Sequence, residues 1–152
     1  MKVLLATDGT EESDEAMDML GALNHPNISQ VRILTVIDMA LPFAHDIYSG
    51  MVTNTAELEE AARKAAEEAL KETVASARSL ISDESTAIES KTAIGSPERQ
   101  IVEEAEEFGA DLIVMGSHGY NRWERLLLGS VSDSVVHHAP CSVLVVRKKE
   151  SD

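Results

Sequence analysis

Apolar residues follow two patterns that alternate along the chain. Short, nearly continuous apolar runs are typical of strands buried on both faces of a sheet, and they occur at residues 3–6, 31–37, 111–115 and 142–146. Apolar residues that recur every three or four positions are typical of amphipathic helices, and they do so at residues 11–23, 54–80, 97–108 and 130–138. A weaker, mixed pattern at residues 86–94 predicts a more peripheral strand.

The order of these elements predicts the fold class. Strands and helices alternate from the first strand to the last, which is typical of an α/β protein with an open, mainly parallel five-stranded sheet and helices on both faces. We expect one Rossmann-like domain over residues 1–152, a length that can bury a full hydrophobic core. Residues 39–53 lack periodicity and predict a long mobile connection, and residues 147–152 predict a polar tail.

One helix carries clear signals at both ends. Ser96 suits the N-cap position, and Pro97 suits the first helical position, where its missing N–H group costs nothing. Gly109 predicts the end of the same helix, because glycine tolerates the left-handed backbone found there.

The charge of the chain limits its partners. The 13 Lys and Arg residues against 27 Asp and Glu residues give a net charge of −14. Nonspecific binding to nucleic acid or to anionic lipid needs clustered cations, so we expect neither. Sixteen of the acids lie at residues 11–18, 57–72 and 98–107, mostly on the solvated faces of predicted helices. The charge therefore does not exclude a phosphate ligand bound through backbone N–H groups.

The cellular compartment is indicated by cysteine usage and hydropathy. Cys141 is the single cysteine, so an intramolecular disulfide is excluded, and we expect it to be a small core residue. No run of about 18 apolar residues occurs, and the apolar start of the chain is too short for a signal peptide. We expect a cytoplasmic protein without membrane insertion.

The segments that follow the strands carry the candidate chemistry, because parallel sheets bind ligands beyond the carboxyl ends of their strands. Asp8 follows the first strand, and its alternative role is to cap its own Asp-Gly turn. Gly116 and Gly119 bracket a turn after the fourth strand, and Gly129 and Ser130 open the last helix. Glycine N–H groups and a helix N-terminus can together hold a di- or triphosphate, with the Ser130 hydroxyl as a further donor or as N-cap. The spacing matches neither the P-loop nor the Rossmann G-x-G-x-x-G motif.

The chain resembles the universal stress protein family. The resemblance rests on residues 113–119 (IVMGSHG), 126–131 (LLLGSV), 138–141 (HAPC) and 143–146 (VLVV), which contain the G-x2-G-x9-G-(S/T) motif of the ATP-binding branch in order and spacing. The opening strand with Thr7, Asp8 and Gly9 and the helix start at residues 95–97 match as well, so the resemblance covers essentially the whole chain.

The resemblance implies a single universal stress protein domain, similar to the adenine nucleotide alpha-hydrolases, that binds ATP. Asp8 would hold the ribose hydroxyls. The residues that would border the adenine and its sugar are Ala6, Thr7, Val36 and Met115. The residues that would bind the phosphates, mainly through backbone N–H groups, are Gly116, Gly119, Gly129, Ser130 and Val131, with His118 in the same turn. Mg²⁺ or Mn²⁺ would be bound through the phosphates of ATP. Relatives commonly form homodimers through the last strand, here Ser142 to Val146.

The expected function is a dimeric, nucleotide-dependent stress-response module with a protein partner still to be identified. The alternative is an enzyme, either a slow ATPase or a nucleotidyl- or phosphotransferase, but no positioned base or P-loop lysine accompanies the phosphate turn. A phosphorylatable receiver domain is rejected, because the third strand ends at Ile94 without the Asp which that chemistry needs. Arg122 and Trp123 depart from the small residues of many relatives, and for Trp123 we favour a surface or dimer contact.

Overall fold

The computed structural model describes residues 1–23, 27–38, 55–81, 84–117 and 128–147. The strands are β1 (Lys2–Thr7), β2 (Gln30–Ile37), β3 (Ala87–Ile94), β4 (Leu112–Gly116) and β5 (Ser142–Val146). The helices are α1 (Glu11–Leu23), α2 (Thr55–Leu80), α3 (Pro97–Phe108) and α4 (Ser130–His138). The connection predicted at residues 39–53 and all but the first residue of the predicted tail lie outside the described residues.

The five strands form one parallel sheet in the order β3-β2-β1-β4-β5. The chain moves outward from β1 to β2 and β3, then returns to the other side of β1 to form β4 and β5. This sheet confirms the predicted α/β class. It also places the weakly patterned strand β3 at one edge, where its outer residues need less apolar burial.

Two hydrophobic layers cover the sheet, and each strand of the centre contributes to both. Leu5, Ile33 and Val114 pack against α1 and α2 on one face. Leu4 and Ile113 pack against α3 and α4 on the other. Because β1 and β4 are buried on both faces, their sequences are continuously apolar, which is the pattern that identified them. No helix in the described ranges is both long and apolar enough to cross a membrane.

The ends of α3 follow the sequence signals with one difference. Pro97 is the first helical residue, and Gly109 ends the helix with φ of 67° and its N–H directed at the carbonyls of Ala105 and Glu106. Ser96 occupies the N-cap position with an extended backbone, but its side chain makes no capping hydrogen bond. A hydrogen bond with Ser96 instead lowers the pKa of the Glu98 carboxyl.

An ion-pair network centred on one buried carboxylate joins β2, β3 and α3. Glu104 of α3 is only 4% exposed, although most acids of the helices were expected on solvated faces. Its Oε1 lies 2.5 Å from Nη1 of Arg32, and its Oε2 lies 2.6 Å from Nζ of Lys91. The hydrogen bond to Glu104 raises the pKa of Lys91. The Arg32 guanidinium also lies 4.2 Å from the centre of the Phe108 ring, so the carboxylate holds both cations beneath α3 and the ring adds a second contact for Arg32.

Substitution of Glu104 tests the contribution of this network. In Glu104→Ala, Arg32 and Lys91 lose their shared buried carboxylate, and we expect the free energy of unfolding to fall by about 2 to 4 kcal/mol. The matched control is Glu89→Ala, which removes a 49% exposed partner of the same Arg32 and should cost less than about 1 kcal/mol. Urea unfolding monitored by circular dichroism measures both. Equal, small losses in the two variants would contradict the account.

Candidate functional site

The strand order creates a crevice between the carboxyl ends of β1 and β4. The two strands are paired, with Ala6 opposite Met115 near their ends. The chain leaves β1 toward α1 on one face of the sheet and leaves β4 toward α4 on the other face. The segments after the two strands therefore diverge, and in open parallel sheets this topological switch point is where ligands bind.

A chain of hydroxyl groups fixes the turn between β1 and α1. The buried Thr7 hydroxyl donates to Oγ of Ser13 over 3.0 Å and accepts the N–H of Gly9 over 3.2 Å. The Ser13 hydroxyl donates to the carbonyl of Thr10 over 2.8 Å. Gly9 has φ of 75°, a left-handed conformation that favours glycine. These hydrogen bonds fix the turn that carries Asp8 both to the end of β1 and to the start of α1.

Asp8 is exposed and caps its own turn. Its Oδ1 accepts the N–H of Thr10 over 3.0 Å and the Thr10 hydroxyl over 2.6 Å. This is the capping role that competed with a ligand role in the sequence. The two roles are compatible, because both bonds are made to Oδ1 and a carboxylate has a second oxygen that can accept hydrogen bonds.

The start of α4 is tied to the end of β4. The Ser117 carbonyl accepts the N–H of Gly129 over 2.8 Å, and the buried Ser132 hydroxyl lies 2.8 Å from the same carbonyl oxygen. Gly129 is the N-cap residue and Ser130 is the first helical residue, so the alternative that Ser130 is the N-cap is wrong. The cap falls on Gly129 because this residue has the extended backbone, with φ of −62° and ψ of 156°.

The first turn of α4 offers backbone donors. The Asp133 N–H closes the first hydrogen bond within the helix, to the Gly129 carbonyl over 2.8 Å. The N–H groups of Ser130, Val131 and Ser132 come before it and have no carbonyl partner within the helix. Such donors, with the partial positive charge of a helix N-terminus, suit an anion.

The predicted adenine-side residues lie largely in one apolar cluster. Ala6 and Met115 belong to the core on the α3 and α4 face, and Val36 and Val131 pack against it. Thr7 is directed to the opposite face, toward Ser13 of α1. Gly116 ends β4 and pairs with Val146. Two further residues of the predicted site, His118 and Gly119, lie outside the described residues, as do Arg122 and Trp123.

The remaining titratable candidates lie away from the crevice. Nδ1 of His137 and Nδ1 of His138 each lie 2.8 Å from a carbonyl oxygen four residues earlier, on an exposed helix end. Burial raises the pKa of the half-buried Cys141 thiol, which packs against the apolar core. Within the described ranges, no group of three or more His, Cys, Asp or Glu side chains is arranged to hold a metal ion.

Sequence reasoning missed two serines that shape the crevice, Ser13 and Ser132. Each is the third residue of the helix that follows a strand at the switch point. A short hydroxyl residue three positions after a helix cap was a signal that could have identified them, because its side chain can reach back to the cap.

The comparisons with known proteins agree on one family. A family model described as "Universal stress protein family" matches residues 1–147. A protein of Staphylococcus haemolyticus named as a universal stress protein is 34% identical over 151 residues, which cover 97% of this chain and 85% of the relative. A protein of Staphylococcus aureus strain USA300 with the same family name is 36% identical over 152 residues, covering 97% and 84%.

Solved structures show the same likeness. The hypothetical protein MJ0577 is 30% identical and has a TM-score of 0.72. The match covers 99% of this chain and 97% of that chain. A universal stress protein in complex with cAMP is 27% identical, with a TM-score of 0.70 and 98% of each chain covered. A family member from Arabidopsis thaliana with AMP bound shares the fold at 18% identity, with a TM-score of 0.64, 98% of this chain and 92% of that chain covered.

Proposed function

Because the chain belongs to the universal stress protein family, we propose that it binds an adenine nucleotide, ATP, in the crevice between β1 and β4. The observation that carries the proposal is that an exposed carboxylate follows β1 and a helix N-terminus is tied to the end of β4, the two strands between which strand order reverses. The relative crystallised with cAMP supports the adenine nucleotide class. The glycine motif of residues 116–130 favours a ligand with a longer phosphate chain.

The residues present fit the three parts of the ligand. The N–H groups of Ser130 and Val131 provide donors for phosphate oxygens. The second oxygen of Asp8 provides an acceptor for the ribose hydroxyls. Ala6, Val36 and Met115 provide an apolar border for the base. His118, Gly116, Gly119 and Gly129 remain predicted phosphate contacts, and Mg²⁺ or Mn²⁺ would accompany the phosphates.

The proposed role is that of a nucleotide-dependent stress-response module in the cytoplasm, where the single Cys141 would stay reduced. The bound nucleotide would alter how the protein contacts a partner that is still to be identified. Prolonged incubation with labelled ATP separates this role from the enzyme alternative. Stoichiometric retention of intact ATP agrees with the proposal, whereas accumulation of ADP, AMP or a labelled acceptor would favour the ATPase or transferase.

Asp8→Asn tests the ribose assignment. Asparagine keeps an oxygen that can cap the turn at Thr10 but removes the negative charge, and a hydrogen bond to a charged group contributes about 1.5 to 3 kcal/mol. We expect ATP affinity, measured by isothermal titration calorimetry, to fall about 10- to 100-fold. The affinity for 2′,3′-dideoxyATP should change less than about threefold, because that ligand lacks the hydroxyls. An equal loss for both ligands would show that Asp8 acts only through its turn.

We further propose that two copies of the chain associate through β5, as the family resemblance implies. β5 is an edge strand, and its central residues Val143, Leu144 and Val145 are apolar and only half-buried. The Val146 carbonyl accepts the Ser117 N–H on the β4 side. Since backbone groups alternate along a strand, Val143 and Val145 direct their N–H and C=O groups to the outer edge. These groups are available to pair with a second β5.

Proline substitutions at the two sheet edges test this dimer. Val143→Pro removes an outward N–H that the sheet itself does not use, and we expect light scattering after size exclusion to change from dimer to monomer mass. The matched control is Ser90→Pro on β3. The Ala87 N–H donates to the Ser29 carbonyl on the β2 side, and because backbone groups alternate along the strand, the N–H of Ser90 points to the outer edge. Ser90→Pro should leave the mass unchanged. A dimeric Val143→Pro protein with a native circular dichroism spectrum would contradict the proposal.

A further inference from the structure

The two helices that follow β1 and β4 share one feature, a buried serine near the start of the helix. Each has a buried serine as its third residue, Ser13 in α1 and Ser132 in α4, and these residues are 4% and 2% exposed. Alanine at either position would satisfy the apolar packing alone. A hydroxyl that is buried in both places is therefore informative, since burying a polar group costs free energy unless it is hydrogen-bonded.

Each serine joins the start of its helix to the strand that precedes it. The Ser13 hydroxyl donates to the carbonyl of Thr10, just before α1, and accepts a hydrogen bond from the Thr7 side chain at the end of β1. The Ser132 oxygen lies 3.0 Å from the carbonyl oxygen of Gly129, the N-cap of α4, and 2.8 Å from that of Ser117, next to the end of β4. Each hydroxyl therefore links the start of its helix to the end of the preceding strand or the residue next to it.

The two turns present different parts of the crevice. The turn that Ser13 closes contains Asp8, whose carboxylate is proposed to accept the ribose hydroxyls. The helix start that Ser132 anchors contains the N–H groups of Ser130 and Val131, which are proposed to donate to phosphates. Neither serine lies among the ligand contacts proposed above, so each would act through the residues it holds.

We infer that Ser13 and Ser132 are positioning residues for separate parts of the nucleotide, Ser13 for the ribose and Ser132 for the phosphates. This inference rests on the proposed nucleotide binding. Rigid placement of binding groups before the ligand arrives reduces the ordering cost of binding, so loosening one turn weakens the contacts made by that turn. α1 and α4 lie on opposite faces of the sheet, and the two effects should be independent.

The test is a crossed measurement in which each variant is the control for the other. Dissociation constants of ATP, 2′,3′-dideoxyATP and adenosine are measured by calorimetry or NMR titration for the wild type, Ser13→Ala and Ser132→Ala. We expect both variants to bind ATP about 5- to 10-fold more weakly, in line with the loss of one buried hydrogen bond. Ser13→Ala should bind dideoxyATP like the wild type. Ser132→Ala should bind adenosine like the wild type.

The outcomes separate the inference from the function on which it rests. A wild type that binds none of the three ligands would overturn the proposed function and, with it, the inference. A wild type that binds ATP, with variants that lose affinity for all three ligands equally or for none, would overturn the inference alone. Where an alanine variant fails to fold, Ser→Cys takes its place, because cysteine is similar in shape but a much weaker donor.

Discussion

The pairing of β1 with β4 is the constraint on which the rest of the structure depends. These two strands are adjacent in the sheet, although the residues that pair across them, such as Leu5 with Val114, are 109 positions apart in sequence. From this pair the chain continues outward in opposite directions, from β1 to β2 and from β4 to β5, and right-handed crossovers therefore place α1 and α4 on opposite faces of the sheet. The crevice, its carboxylate and its helix N-terminus all exist because of that divergence.

The 104 residues that lie between the end of β1 at Thr7 and the start of β4 at Leu112 form the other half of the sheet with its helices. The crevice is therefore assembled only when this half of the chain has folded. The buried Glu104 network ties β2, β3 and α3 together within the same segment. The stability of this half of the sheet therefore affects formation of the crevice between β1 and β4, because β1 pairs with both β2 and β4.

The positions of the charged residues explain how a strongly acidic chain could bind the proposed anionic ligand. The net charge of −14 comes largely from carboxylates on helices, and their interaction with a ligand is weakened by solvent and salt. The proposed phosphate donors are backbone N–H groups of α4, which carry no net charge and cannot titrate. In this proposal the exposed Asp8 carboxylate would accept hydrogen bonds from the ribose hydroxyls and would not contact the phosphates.

Most of the fold could be predicted from the sequence, because it follows from local patterns. The apolar runs of β1 and β4 and the helical spacing of α1 reflect burial that neighbouring residues share. The roles of Glu104, Ser13 and Ser132 could not be read in the same way. Glu104 has the spacing of an ordinary helix acid, and it is a buried partner because Lys91 and Arg32, which is 72 residues away in sequence, approach it from two strands. The bond from Ser132 to Ser117 likewise depends on how β4 and α4 meet.

The candidate site could likewise be predicted only in part. Asp8 and the glycines were identified because strand ends and helix starts are visible in the sequence. Two details depend on backbone geometry that the residue types do not determine. One is that Oδ1 of Asp8 caps its own turn, and the other is that the N-cap of α4 is Gly129 and not Ser130.

A titration of ¹⁵N-labelled protein with ATP, followed by assigned amide NMR spectra, tests the central claim most directly. The account requires the largest shifts at the amides of residues 7–9, 116–117 and 129–132, with the outer edge of β3 unchanged. Shifts that cluster elsewhere on the sheet, or no shifts at millimolar ATP, would contradict it.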